Sequence, residues 1–227
     1  MIKIDLKVDE GIPQYGCSSC GNCQSVFANS LCSIKNRGCC WYFPKFTLYE
    51  IHKMVKGKDG LKTLKSILSV PKVDIYNYYI HAKGYFDKVG YKKYIKTEHF
   101  NDTDVKDKSM FFRACPFVKS GVGCTLPKRY RSYVCNFFIC DEVIKKIEKH
   151  DEFKNYINER DNYVRWIEWE NYSLETFLIE KKLNLKNGFD EIVNILRDMP
   201  LREYKFKNLD PIVILDEVYN NLNKKLG

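Results

Sequence analysis

The sequence predicts a mainly α-helical fold with minor β structure, in which helices pack around an irregular, cysteine-rich core. Apolar residues recur at helical spacing after Thr47 and again after Cys140. Glycine and proline interrupt residues 11–46, where six of the ten cysteines also lie, and such a segment has little core of its own. We therefore expect a domain over 1–140 that contains every cysteine, and a helical extension over 141–227 packed on it.

Two helices are predicted directly after the irregular segment. Thr47 and Glu50 have the spacing of a capping box, in which the hydroxyl and the carboxylate satisfy each other's backbone donors. The first helix then ends at Gly57. A second apolar stripe over residues 61–68 predicts another helix, and Pro71 stops it.

The rest of the chain is predicted mostly as helices. Residues 73–100 are rich in aromatic side chains and are ambiguous between helix and strand, whereas Met110–Ala114 has the short apolar pattern of a buried strand. After Cys140, helical stripes cover 143–157, 189–196 and 212–222. Asp210 and Pro211 are suited to the N-cap and first turn of the last helix.

Charge and hydropathy narrow the class of protein. The chain has 227 residues, with 38 Lys and Arg against 29 Asp and Glu, a formal charge of +9. We find no secretory signal and no apolar run long enough to span a bilayer, so we expect a cytoplasmic protein without a membrane partner. The basic residues alternate with acids along the sequence, so nucleic acid is not the expected partner, although residues 85–94 interleave aromatic and basic side chains.

The ten cysteines are the most informative feature. The first group is Cys17, Cys20, Cys23, Cys32, Cys39 and Cys40, and the second is Cys115, Cys124, Cys135 and Cys140. Reduced compartments disfavour disulfides, and dense cysteine there indicates metal or redox chemistry. We therefore interpret both groups as metal ligands.

The first group opens with a C-x-x-C-x-x-C run, Cys17-Ser18-Ser19-Cys20-Gly21-Asn22-Cys23. Its small intervening residues let the backbone curl so that successive sulfurs face one centre, as in bacterial ferredoxins. Cys32 follows too late for the ferredoxin spacing. The fourth ligand is expected from Cys32, Cys39, Cys40 or the second group.

Taken together, the two groups resemble the YkgJ-like cysteine-cluster proteins, a family described as a zinc- or iron-chelating domain. The residues that carry the resemblance are Cys17, Cys20, Cys23, Cys39-Cys40, Thr47-Leu48-Tyr49-Glu50-Ile51, Cys115-Pro116-Phe117, Cys124, Leu126, Pro127, Arg131 and Cys135. Gln24 stands where the family has a fourth cysteine, and Ser132 where it usually has proline. The resemblance covers about residues 17–140 and implies a loose kinship with cysteine-cluster proteins described as flagellin lysine methylases.

The resemblance implies a bound zinc ion or iron–sulfur cluster. All-sulfur ligation suits both. We favour one or two iron–sulfur clusters, of the 4Fe–4S type, because the Lys-, Asn- and Ile-rich composition is common in anaerobes, with zinc as the alternative. The expected cofactor ligands are Cys17, Cys20, Cys23, Cys39, Cys40, Cys115, Cys124 and Cys135. Cys32 and Cys140 complete the metal-ligand set and are the two that we would give up first, as buried apolar residues.

Arg131 and His99 are the candidate catalytic residues. Arg131 precedes Cys135 by four positions and is suited to donating hydrogen bonds to a cluster sulfide or an anionic substrate, with a structural salt bridge as the alternative. His99 is suited to binding metal or acting as a base. His52 and His150 are expected on exposed helix faces.

Three functions follow from these features. The first is a cluster-dependent redox protein or enzyme, either an oxidoreductase or a protein-modifying enzyme, acting on a small molecule or a protein. The second is a zinc-binding structural module that presents a helical surface to a protein partner. The third is a basic nucleic-acid-associated cluster protein. The sequence leaves the substrate, the reaction and the oligomeric state open.

Overall fold

The computed structural model of the chain describes residues 2–9, 12–18, 23, 25–97 and 105–216. Within these residues the α-helices are α1 Leu48–Lys56, α2 Gly60–Leu68, α3 Lys88–Tyr94, α4 Tyr133–Asn136, α5 Asp141–Ile147, α6 Asp151–Glu180 and α7 Phe189–Asp198. The strands are β1 Ile2–Asp9, β2 Ile12–Cys17, β3 Lys45–Thr47, β4 Lys72–Ile75, β5 Tyr79–Lys83, β6 Tyr85–Phe86, β7 Arg113–Ala114, β8 Val118–Lys119, β9 Gly123–Cys124 and β10 Ile212–Asp216.

The predicted mainly α fold is wrong, because the described residues form a mixed α and β structure. The strands make four antiparallel sheets of order β10–β1–β2, β3–β5–β4, β6–β7 and β8–β9. The segment 11–46, predicted to be irregular, contributes β2 and part of β3. Its strand β2 pairs with Ile4–Asp9 of the preceding strand β1, so the two form an antiparallel hairpin.

The main core lies where α1 and α2 pack against the β3–β5–β4 sheet and against α6 and α7. It consists of aromatic and aliphatic side chains, including Phe46, Ile51, Met54, Ile80 and Ile167, rather than of cysteines. Cys115 and Cys124 only touch its edge. The helices therefore pack on one another and on a sheet, and not around a cysteine-rich centre.

The structure confirms α1, α2 and α7 and corrects the C-terminal end of the chain. The capping box of Thr47 and Glu50 is present, and Gly57 caps the end of α1. Leu61, predicted to face the core, is exposed. The predicted last helix is wrong in its described part, because Ile212–Asp216 forms β10 and pairs with β1. The residues from 217 onward lie outside the described part.

A second core explains the strand at the end of the chain. Ile4 and Leu6 of β1 and Ile212 of β10 pack against α5 and the first turns of α6. Along β10, buried Ile212 precedes exposed Val213, which is the alternation of a half-buried strand. The β-branched run Ile212-Val213-Ile214 favours this strand over a helix.

The predicted buried strand over Met110–Ala114 is correct in burial and mostly wrong in conformation. Lys108–Phe112 forms a 3₁₀ helix, begun by the Asp107 carboxylate accepting the Ser109 amide, and only Arg113–Ala114 is extended. Met110, Phe111 and Phe112 are buried together in a third small core. The short apolar run therefore predicted burial correctly but did not determine the backbone conformation.

His52, predicted on an exposed helix face, is buried between α1 and the end of α7. Its Nε2 donates to the carbonyl oxygen of Met199 over 3.3 Å. Burial lowers the pKa of His52, and the positive charge of Lys56 lowers it further, against the hydrogen bonds to Met199 and Leu196. The neutral imidazole is therefore the form that the folded protein favours.

We expect the free energy of unfolding to decrease as the pH falls below about 6.5, because unfolded His52 then binds a proton that the folded protein resists. One such group contributes a slope of at most about 1.4 kcal/mol per pH unit. Urea denaturation between neutral and mildly acidic pH should show a smaller slope for His52→Gln than for wild type. The matched control is His150→Gln at an exposed position, and equal slopes for wild type and His52→Gln would contradict the prediction.

Candidate metal centre

Two cysteines of the second group, Cys115 and Cys124, lie in loops whose backbone amides are directed at the sulfur atom. Cys115 follows β7, and the amides of Phe117 and Val118 hydrogen-bond its thiol. Cys124 ends β9, and its thiol accepts the amide of Leu126. A cysteine whose sulfur receives the amide two residues later has the turn geometry that stabilises a thiolate. In both loops the backbone amides therefore favour the ionised thiol, against the burial that disfavours it.

Glycines allow this close packing of backbone. Gly84 lies against the Ala114 carbonyl oxygen and Pro116, and any Cβ at this position would collide with both. In the β8–β9 hairpin, Gly121 and Gly123 have φ values of 70° and 109°, in the region that favours glycine. Glycine at these positions therefore allows the close backbone packing around Cys115 and the tight turn that precedes Cys124.

Cys40 joins the second group through the backbone, because the amide of Cys115 donates to the carbonyl oxygen of Cys40 over 2.9 Å. The thiols of Cys40, Cys115, Cys124 and Cys135 all interact electrostatically. We call these four residues the thiol cluster. It unites cysteines from the two groups that the sequence separates.

The thiols of the cluster differ in their tendency to ionise. Burial raises the pKa of Cys115 to about 12 and raises that of Cys124. Cys135 is exposed as a residue, yet protein atoms crowd its thiol; this desolvation, and then the charges of Cys115, Cys124, Glu50 and Cys40, raise its pKa far above the ordinary value. A hydrogen bond from Cys39, with help from Arg131 and Arg37, lowers the pKa of Cys40 to about 7.

The thiol cluster is looser than a finished coordination shell. Across the ranges that the structure describes, no three Cys, His, Asp or Glu side chains lie close enough together to hold a metal ion. No disulfide joins two of the nine described cysteines. The cluster therefore brings suitable donors into one neighbourhood without the spacing of a bound metal.

Of the remaining predicted ligands, Cys39 hydrogen-bonds Cys40 beside the thiol cluster, and the other described ones lie elsewhere. Cys17 ends β2 and packs with Cys140 against the second core, while Cys23 accepts the Ser25 amide over 3.4 Å. Cys32 is buried and its thiol donates to the Ile34 carbonyl oxygen over 3.7 Å. Cys20, Gln24 and His99 lie outside the described residues. The described part of the C-x-x-C-x-x-C run therefore does not test that centre.

Arg131 lies against the thiol cluster. Its Nε donates to the Leu126 carbonyl oxygen over 3.0 Å and its Nη2 to the Cys124 carbonyl oxygen over 3.5 Å, which places the guanidinium beside the Cys124 thiol. Its charge lowers the pKa of both Cys124 and Cys40. Among the described residues it forms no salt bridge, and its role as a donor to a cluster sulfide or an anionic substrate stays a prediction.

Arg37 is a second cation near the cysteines, and no motif in the sequence pointed to it. It is 2% exposed, and its guanidinium donates to the carbonyl oxygens of Phe27, Asn29, Gly38 and Met110. No carboxylate in the described part of the chain pairs with it. The ionisable groups that favour its charge are the thiols of Cys32, Cys39 and Cys40. A buried cation whose ionisable neighbours are thiols is best accommodated when some of them are anionic.

Glu50 connects the first helix to the segment that carries Cys135. One carboxylate oxygen accepts the Thr47 amide over 2.8 Å, and the other accepts the Tyr133 amide over 2.8 Å at the start of α4. Burial raises the pKa of Glu50 to about 7, against these hydrogen bonds. The sequence predicted the cap of α1, and the structure adds the second contact that positions α4.

We expect Arg37→Met to destabilise the protein by about 3 kcal/mol or more, because the variant leaves several buried carbonyl oxygens without a donor. Lys35→Met is the matched control, since Lys35 is exposed and two residues away, and it should change the free energy of unfolding by about 0.5 kcal/mol or less. Denaturant titration of the three proteins checks both values. Equal stabilities for the two variants would show that the guanidinium contacts contribute little.

No protein-family model, curated protein or solved structure matches this chain. The resemblance to the YkgJ-like proteins therefore stays a prediction from the cysteine spacing. None of the helices in the described ranges combines the length and the apolar composition needed to cross a bilayer.

Proposed function

We propose that this chain is a metal-binding protein whose thiol cluster, Cys40, Cys115, Cys124 and Cys135, binds an iron–sulfur cluster. The observation that supports this most directly is the approach of Cys40 to three cysteines that lie far from it in the sequence. Cysteine thiolates are the usual ligands of such clusters, and four of them are sufficient for a 4Fe–4S centre.

The donor set also fits the electrostatics around it. Four thiolates on a dication leave a net charge of about −2. Arg37 and Arg131, which have no carboxylate partner among the described residues, flank the cysteines. The backbone amides of Phe117, Val118 and Leu126 stabilise the thiolate form further. The cysteines would bind the cluster. The amides and arginines would favour the deprotonated thiols and offset the negative charge of the site.

When bound, an iron–sulfur cluster would supply one-electron transfer. We propose a redox role on this basis, acting on a small molecule or a protein, with the protein in the reducing cytoplasm where thiolates stay available. Zinc is the second candidate, because the same four sulfurs suit a closed tetrahedral site that stabilises the loops around them. In that case the chain is a structural module.

Anaerobic purification followed by iron, sulfide and zinc analysis tests the proposal. We expect iron with acid-labile sulfide and a visible absorption band, and a colourless protein with about one zinc per chain would favour the second candidate. Serine substitutions of Cys40, Cys115, Cys124 and Cys135 should each lower metal content at least about tenfold. Cys32→Ser is the matched control, since Cys32 is buried outside the cluster. Wild type without iron or zinc, or four variants with unchanged content, would refute the proposal.

We expect Arg131→Met to weaken metal binding about 10- to 100-fold, because the guanidinium contacts the Cys124 sulfur and favours its ionised form. Arg129→Met is the control, since Arg129 pairs with Glu203 on the surface. Competition of each protein with a graded series of chelators measures the change in affinity. Equal retention of metal by the two variants would assign Arg131 a purely structural role.

A further inference from the structure

The outer face of the β3–β5–β4 sheet gathers aromatic and basic side chains. In the central strand β5, Ile80 and Ala82 are completely buried, so the alternate residues Tyr79, His81 and Lys83 face outward. In the neighbouring strands, Lys45 and Asp74 lie opposite His81, and Lys72 lies opposite Lys83. Cross-strand partners share a face, so all six side chains project from the same side.

Two tyrosines at one end of this face form a stacked pair. The ring centroids of Tyr76 and Tyr79 are 4.5 Å apart, with an angle of 11° between the ring planes. Lys45 Nζ lies 5.3 Å from the Tyr79 centroid, and Lys186 Nζ lies 5.8 Å from the Tyr76 centroid. The stacked tyrosine pair therefore has one lysine ammonium group near each of its two rings.

The charge of this face is positive. Lys45, Lys72, Lys83 and Lys186 contribute cations, and Asp74 is the one acid in the sequences of the three strands. Asp74 forms an ion pair with Lys83. The lysines are scattered along the sequence, which explains why the sequence did not favour nucleic acid as a partner.

We propose that this face, the tyrosine platform of Lys45, Lys72, Tyr76, Tyr79, His81, Lys83 and Lys186, binds single-stranded nucleic acid. Phosphates would draw the mobile ammonium groups off the tyrosine rings, and the freed rings would stack on unpaired bases. A duplex keeps its bases paired and stacked internally, so its base faces are not available to stack on the tyrosine rings. The combination of a positive face and stacked aromatic rings is what singles out an unpaired strand over other polyanions.

The residues that first suggested nucleic acid are not part of this platform. Within 85–94, Phe86, Tyr91 and Tyr94 pack against Phe112 in the third core. The interleaved pattern there reflects a small helix whose tyrosines lie half-buried against this core. The platform contains no cysteine, so its binding is independent of the metal proposal.

Fluorescence anisotropy with labelled oligouridine, oligothymidine and a blunt duplex of equal length tests the platform, using the full chain as purified with its metal content recorded. We expect either or both single strands to bind with a dissociation constant below about 100 µM and the duplex to bind more weakly. Comparison of the two single strands identifies RNA or DNA as the preferred form. Tyr79→Ala should weaken binding at least about fivefold, and Tyr79→Phe should restore it, because stacking needs the ring and not the hydroxyl.

A charge-matched pair of double variants separates the lysines of the platform from net charge. Lys45→Ala with Lys83→Ala should lower the slope of log affinity against log salt by about 1.4, since each phosphate contact to a single strand contributes about 0.7. Lys145→Ala with Lys149→Ala removes two exposed charges on and beside α5 and should leave the slope unchanged, and Tyr172→Ala on exposed α6 is the control for the ring.

Three results would overturn the platform: no binding of either single strand at about 100 µM protein, equal effects of the platform and control variants, or displacement by polyglutamate as effective as by the oligonucleotide. The last result would mean that the face binds polyanions, such as acidic peptides, by charge alone. Circular dichroism of each variant confirms that it folds, and the surface lysine variants keep the test valid if a tyrosine substitution unfolds the sheet.

Discussion

Thiol groups held in one small volume repel one another as soon as they lose their protons, and this constraint governs the candidate metal centre. Cys40, Cys115, Cys124 and Cys135 interact with one another, and most of them resist ionisation in the protein alone. Arg37 and Arg131 oppose this repulsion from the side of the protein. A bound cation would oppose it far more strongly, and the proposed metal site rests on this argument.

The elements that surround the thiol cluster hold its cysteines in position. Glu50 receives the amide that starts α4, so the helix that carries Cys135 is positioned by the first helix of the main core. The Cys115 loop is fixed by its hydrogen bond to Cys40 and by the close approach of Gly84. The cysteines therefore sit at the edge of an aliphatic and aromatic core, and the core itself does not depend on them.

The platform and the thiol cluster use different physical means. The cluster relies on desolvated thiols and the charges beside them, whereas the platform presents lysines and partly exposed tyrosine rings on the outer face of a sheet. The buried face of the same sheet belongs to the main core, so the platform has a rigid support. The platform and the thiol cluster are connected through β3 and α1, because α1 follows β3 directly. A nucleic acid bound at the platform and a metal bound at the cysteines would therefore be supported by the same two elements.

The sequence by itself determined the local features: the capping box and end of α1, the amphipathic faces of α2 and α7, and two dense groups of cysteines. These depend on interactions within a few residues, so spacing alone reveals them. Only the tertiary structure decided that β10 pairs with β1, that His52 is buried, and that Cys40 meets the second cysteine group. Each depends on a contact between distant segments, and the residue pattern within one segment does not identify the segment that it contacts. The burial of Arg37 belongs to the same class, because only the folded chain shows which carbonyl oxygens surround it.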